Sequence, residues 1–202
     1  MQGPTSHSYF SQRLRLHYVD WGNAGAPPLL LVHGGRDHCR NWDWVAEALR
    51  DDYHIIAPDL RGHGANGTAL PLGSDGAIEY NRLAQEITAV ADWLGSQPGV
   101  DESAVALVGH SMGAGAVTRA ALLNAGAETA TGSETGTATE GRDYMAVVAL
   151  SLPSADSLPD GQPSAPRNLL LLWGSAEPER FVIAAQEALI RGYPEAESGM
   201  DY

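Results

Sequence analysis

Cysteine is nearly absent from this sequence. Cys39 is the single example in 202 residues, so no disulfide can close within the chain, and the expected state is a buried, unreactive thiol. Positive charge is also scarce: 12 Lys and Arg stand against 25 Asp and Glu, a formal net charge of -13. Binding nucleic-acid phosphates requires clustered cations, so no nucleic-acid partner is expected. No apolar run approaches the roughly 18 residues of a membrane span. Residues 1–18 also lack an apolar stretch between a basic start and a cleavage site. The expectations are a soluble protein with no membrane partner and a cytoplasmic location. Histidine is missing from one half of the chain, since all seven lie before Ser111 and none after it.

The length suits one domain with a sizeable core and is short for two, so residues 1–202 read as a single domain. Residues 13–22 alternate Leu14, Leu16 and Tyr18 with more polar neighbours, the period of a half-exposed strand near a sheet edge. Residues 28–35 and 53–64 are apolar on both faces and end in glycine-rich loops, as buried parallel strands do. Between them, residues 41–51 have helical composition, with Trp44, Val45, Ala48 and Leu49 on one side. Leu83, Ile87, Val90 and Leu94 form one stripe of an amphipathic helix over 79–97. Further strands are expected over 104–109, 145–152 and 168–174, with a closing helix over 179–191. Residues 125–141 hold no bulky apolar side chain and read as a mobile surface loop. Alternating strands and helices give an α/β fold, a mostly parallel sheet with helices on both faces. No internal repeat is visible.

Gly109-His110-Ser111-Met112-Gly113 matches G-x-S-x-G. In a chain of 23 glycines a bare match carries little weight, but here an apolar strand precedes it and a small-residue helix follows. A tight strand-to-helix turn would hold Ser111 in a strained backbone position, with neighbours two residues either side lacking side chains to avoid a clash. The helix would aim its free N–H groups at an oxyanion beside the serine. Ser111 is the candidate nucleophile.

With the segments LLLVHGGRDHCRNWDWVAEAL, YHIIAPDLRGHG and VALVGHSMGAG in this order, the chain resembles esterase-like members of the α/β-hydrolase superfamily. The match is good over about the first 120 residues and rests on strand pattern beyond them. The resemblance implies an oxyanion hole from the N–H groups of Gly35 and Met112. Related haloalkane dehalogenases and epoxide hydrolases carry aspartate where this chain has Ser111, which favours acyl transfer to water, with small-molecule esters or thioesters as substrates. No cofactor or metal is implied. The family acid commonly follows the next-to-last strand in a Gly-x-x-Asp-Pro setting; Gly174 to Pro178 make Glu177 the matching position, with Asp156 and Asp160 as weaker alternatives and a surface glutamate opening the last helix as the plain reading.

The chain departs from the family at the base, which should follow the last strand. The resemblance thus implies an incomplete C-terminal part, with the last strand missing, and impaired turnover. His33, His63 and His110 sit inside family motifs, where such residues pack or bond to backbone. His7, His17 and His54 read as terminus or strand positions, which leaves His38, in the loop after the oxyanion strand, as the possible substitute base. Residues 153–167 are too short for a helical cap, so the site should be open. The rival reading is a catalytically silent fold that binds small apolar ligands or a protein partner. Oligomeric state is left open.

Overall fold

Short apolar runs separated by glycine-rich turns give a sheet in the computed structural model, which describes residues 3–126, 144–153, 168–173 and 183. Its elements are β1 (Thr5–Ser11), β2 (Leu14–Asp20), β3 (Pro28–Val32), a 3₁₀ turn (Cys39–Trp42), α1 (Asp43–Leu49), β4 (His54–Pro58), α2 (Tyr80–Gly95), a second 3₁₀ turn (Glu102–Ala104), β5 (Ala106–His110), α3 (Met112–Gly126), β6 (Ala146–Leu150) and β7 (Leu169–Leu172). The strand order is β1-β2-β4-β3-β5-β6-β7. β1, β2 and β4 pair antiparallel, and the remaining pairs are parallel. No helix among the described residues is long and apolar enough to cross a membrane.

Side chains on β3 alternate between two cores, as the pleat requires. Leu30 and Val32 face α2 and α3, together with Leu83, Ile87, Val90 and Leu94 of the α2 stripe. Leu29 and Leu31 face the other side, where Ala46 of α1 packs with Ile55 and Ala57. Helices therefore cover both faces, as expected for this fold class.

Four features depart from expectation. β1 went unforeseen because only Tyr9 and Ser11 of its seven residues are buried. Its hairpin turn, Gln12-Arg13, also adopts positive φ at both positions without the usual Asn-Gly signal. In α1 the inward stripe is Val45, Ala46 and Leu49, joined by Trp42 of the preceding 3₁₀ turn, while Trp44 is 75% exposed and Ala48 is exposed too; the two stripes differ by a rotation of the helix, and the sheet selected the one with Ala46 against it. Third, α3 extends through Gly126, so the expected loop loses its first two residues to helix, and residues 127–141 lie outside the described residues. β7, at the edge of the described sheet, leaves Leu170 and Leu172 about half exposed rather than buried on both faces.

The loops at the carboxyl ends of β3 and β4 are fixed by Asp59. Its carboxylate accepts from the amides of Cys39 (2.7 Å) and Ala65 (2.8 Å) and from His17 Nδ1 (2.8 Å), and its carbonyl accepts from the Asn66 amide side chain. Gly64, at φ +55°, approaches so closely that a Cβ there would lie 2.2 Å from the carboxylate. Arg61, two residues on, forms a buried ion pair with Glu86 of α2.

Burial alone would raise the Asp59 carboxyl, but the bonds from Ala65, Cys39 and His17 outweigh it and hold it below the ordinary value. An acid whose folded pKa is depressed stabilises the fold fully above its unfolded pKa, about 3.9, and the contribution is lost as pH falls through the folded value. Asp59→Ala should lower the unfolding free energy by on the order of 3 kcal/mol at pH 7, because it strands buried donors. In urea denaturation series the gap between the two proteins should narrow below about pH 4. A gap that stays constant to pH 3 would show that the carboxylate charge is not what holds these loops.

Candidate active site

The sheet order reverses at β3: the chain goes from β3 to β4 on one side, then returns to place β5 on the other. In open α/β sheets, ligands bind in the crevice outside the carboxyl ends of the strands at such a switch point. Gly34 and Gly35 leave β3 at that edge, and Ser111 leaves β5 beside them.

Ser111 has φ +52°, in the left-handed region that costs an L residue with a side chain. The residue lies directly between β5 and the first residue of α3, Met112, and is half-buried. Close backbone packing explains the flanking glycines. A Cβ on Gly109 would lie 2.3 Å from the Gly113 carbonyl oxygen, and one on Gly113 would lie 2.3 Å from that of Val32 and 2.5 Å from that of His33. Ser111 N–H donates to the Leu150 carbonyl at 2.9 Å, tying the turn to β6. The first N–H groups of α3 have no partner within the helix and point toward this end.

Gly34, which the sequence had not singled out, packs close to the serine: a Cβ there would be 3.2 Å from Ser111 Cβ and 3.1 Å from His110 Nδ1. Gly35 is exposed, with open space where a side chain would be. Met112 is buried. The signal for Gly34 was the Gly-Gly pair itself, which sequence alone cannot divide into a packing residue and an open one.

His33 is locked. Its Nδ1–H donates to the Gly34 carbonyl (2.7 Å), and its Nε2 accepts from Leu60 N–H (2.9 Å). Burial pushes its pKa below the ordinary value, so it stays neutral and joins the two loops. His63 Nδ1–H donates to the Arg61 carbonyl. His38 caps the 3₁₀ turn, with Nδ1 accepting from Arg40 N–H at 3.2 Å, so in the neutral ring the proton sits on Nε2 and the basic nitrogen is occupied. His110, expected to pack or bond to backbone, is instead exposed. Among the described residues no histidine hydrogen-bonds to Ser111. Glu177, Asp156 and Asp160 lie outside the described residues.

His17, Cys39 and Asp59 place ligand-type atoms within 4.8 Å of one another. Both carboxylate oxygens of Asp59 are already engaged by N–H donors, so the trio serves as a hydrogen-bonded brace. Burial, then the Asp59 charge, push the Cys39 thiol up to about 12, which keeps it protonated and unreactive.

Beside Ser111 opens a cavity of about 220 Å³ whose wall includes Gly34, Trp42, Trp44, Val45, His110 and Leu150.

The model of the alpha/beta hydrolase family matches residues 29–200. The chain belongs to that family. Epoxide hydrolase A of Mycobacterium tuberculosis is 34% identical over 126 residues, 62% of this chain and 36% of that protein. A 3-hydroxybutyrate-oligomer hydrolase of Cupriavidus necator is 35% identical over 94 residues, 42% of this chain and 31% of that one. The chain thus spans about a third of the length of these curated relatives. A predicted CIB-like hydrolase from Thermoplasma acidophilum matches in fold with a TM-score of 0.67 at 18% identity, over 94% of this chain and 83% of that one.

The strain at Ser111 is measurable. Ser111→Gly should raise stability by about 1 kcal/mol, since glycine accepts positive φ without penalty, whereas Ser111→Ala should leave it nearly unchanged. Gly113→Ala should cost about 2 kcal/mol or more through overlap with the β3 carbonyls. Equal denaturation midpoints for the Gly and Ala variants at position 111 would contradict the strained turn.

Proposed function

We propose that this hydrolase-family chain acts on carboxylic esters or thioesters through an acyl-enzyme on Ser111. The observation that carries the reading is the strained serine at the head of α3, at the carboxyl edge of the sheet beside the β3 loop. In the proposed step Ser111 Oγ attacks the acyl carbon, the carbonyl becomes an oxyanion held by Gly35 and Met112 N–H groups, and the leaving alcohol or thiol departs with a proton. Water then cleaves the acyl-serine bond and regenerates the hydroxyl. Serine rather than aspartate at this position supports acyl transfer over the epoxide chemistry named for one relative. The other relative is named for 3-hydroxybutyrate oligomers, whose units are joined by ester bonds.

The serine has to lose its proton to a base. Glu177 is the proposed acid, which would orient one. His38 is the proposed substitute base, and it could serve only by releasing its bond from Arg40 N–H. Turnover is therefore proposed to be weak: losing a triad base costs about a millionfold elsewhere, while the oxyanion hole and binding retain roughly a thousandfold over water. The rival reading, a silent fold that binds small apolar ligands, is favoured by the absence of any histidine bonded to Ser111 among the described residues.

A fluorophosphonate probe separates the two, because it reacts with the serine without needing deacylation. The 202-residue chain should label slowly, at Ser111, and Ser111→Ala should not label. Labelling that is unchanged by Ser111→Ala, or none after prolonged incubation, would reject the nucleophile and leave the binding reading.

Hydrolysis of a short activated ester should be nearly flat between about pH 6 and 8, where a working imidazole would titrate. A rapid rate that rises through that range and is lost in His38→Ala would instead make His38 a working base.

A further inference from the structure

The cavity beside Ser111 lies on the α1 face of the sheet, under the carboxyl ends of β5 and β6, and no part of the proposed acyl transfer uses it. Its polar and apolar groups are unevenly placed. Trp42, Trp44, Val45 and Leu150 supply apolar wall, His33, Asn41 and His110 supply the polar part, and Gly34 adjoins Ser111. No carboxylate and no guanidinium is among the described residues that line it. In a chain with a formal net charge of -13, a cavity without carboxylate or guanidinium next to the candidate nucleophile is a selective environment. An ammonium group entering it would lose water without a carboxylate to pair with.

Size narrows the occupant. Drug-sized ligands occupy pockets of about 300 Å³ or more, and an apolar cavity of about 150 Å³ suffices for benzene. At about 220 Å³ the cavity has room for one aromatic ring with a short linker. Trp44 bears on the same point. An indole 75% exposed on a short helix is an unusual use of a large apolar side chain. Its place on the cavity wall accounts for it, because a ring seated there covers the indole face.

We propose that this cavity binds an uncharged single aromatic ring of the ester, so that the chain selects aryl or arylalkyl esters over long-chain ones. The ester part of this statement rests on Ser111 being the reactive group; the ring-binding part does not. The ring stacks against Trp44 with Val45 beneath it, and the scissile carbonyl then extends past Gly34 toward Ser111.

Phenylacetamide, a neutral one-ring compound carrying an unreactive carbonyl, is the probe. Ligand-observed saturation-transfer NMR on the full chain should show saturable binding, with the same dissociation constant within about twofold in Ser111→Ala. Trp44→Ala should weaken it about tenfold, and Val45→Trp, which fills the cavity, should abolish it. Decanamide should gain nothing over hexanamide, for lack of room. If Val45→Trp fails to fold, Trp44→Ala decides, since that position is largely exposed. Absence of saturable binding, or equal affinity in the wild type and Trp44→Ala, overturns the proposal. Because Ser111→Ala retains the cavity, a positive binding result beside a negative fluorophosphonate result would reject the esterase reading alone, and the converse would reject the ring site alone.

Discussion

Backbone packed against backbone at the start of α3 is the constraint on which the arrangement of this molecule depends. Gly113 brings the first turn of the helix to within van der Waals range of the last carbonyls of β3, at Val32 and His33, and Gly109 lets β5 pass beneath the same turn. Once these approaches are made, the chain between them has one residue in which to change direction, and Ser111 takes up the positive φ. Its N–H reaches β6 through the Leu150 carbonyl. The carboxyl ends of β3, β5 and β6 are thereby locked at one point. Any side chain larger than hydrogen at either glycine would separate them.

The loops around that point are held by buried polar bonds rather than by apolar packing. His33 links the turn after β3 to Leu60 after β4, and Asp59 links Cys39, Ala65 and His17. Each network is closed: the donors on one loop are answered by acceptors on the next, as low-dielectric surroundings demand. The consequence for chemistry is preorganisation. Under the proposed reading, backbone N–H groups at the head of α3 and in the β3 loop would be held in place before a substrate arrives, and fixed dipoles stabilise a developing charge at no reorganisation cost.

Much of this was legible in the sequence, for reasons visible at particular residues. β3 and β4 are uninterrupted apolar runs because both faces are covered, and the α2 stripe of Leu83, Ile87, Val90 and Leu94 is fully buried. The glycine spacing around Ser111 encodes the crowding directly. β1 was illegible because its residues are mostly exposed and its turn uses Gln12 and Arg13 where hairpin turns usually need glycine or asparagine. The face of α1 was ambiguous because two overlapping apolar stripes run along it, and only the sheet decides between them. Hydropathy placed Trp44 inside; the structure places it at the mouth of the cavity beside Ser111. The separate parts of Gly34, packed beside the serine, and Gly35, open to solvent, are likewise a matter of three dimensions.

The histidines set the nucleophile question in physical terms. His17 and His54 are paired with Asp59 and Asp20, His33 and His63 bond to backbone, His38 caps the 3₁₀ turn, and His7 meets Thr5 on the hairpin. These rings are committed to structure. His110 is exposed beside the cavity, on the residue next to Ser111. Recruiting any of the committed rings as a base would give up a bond that holds a strand or loop, which accounts for a low expected rate better than a misplaced serine would. The serine itself points the other way. A side chain held at positive φ costs on the order of 1 kcal/mol that glycine would spare. Under the proposed reading that cost places a hydroxyl at the head of α3, toward which the first unpaired N–H groups of the helix point.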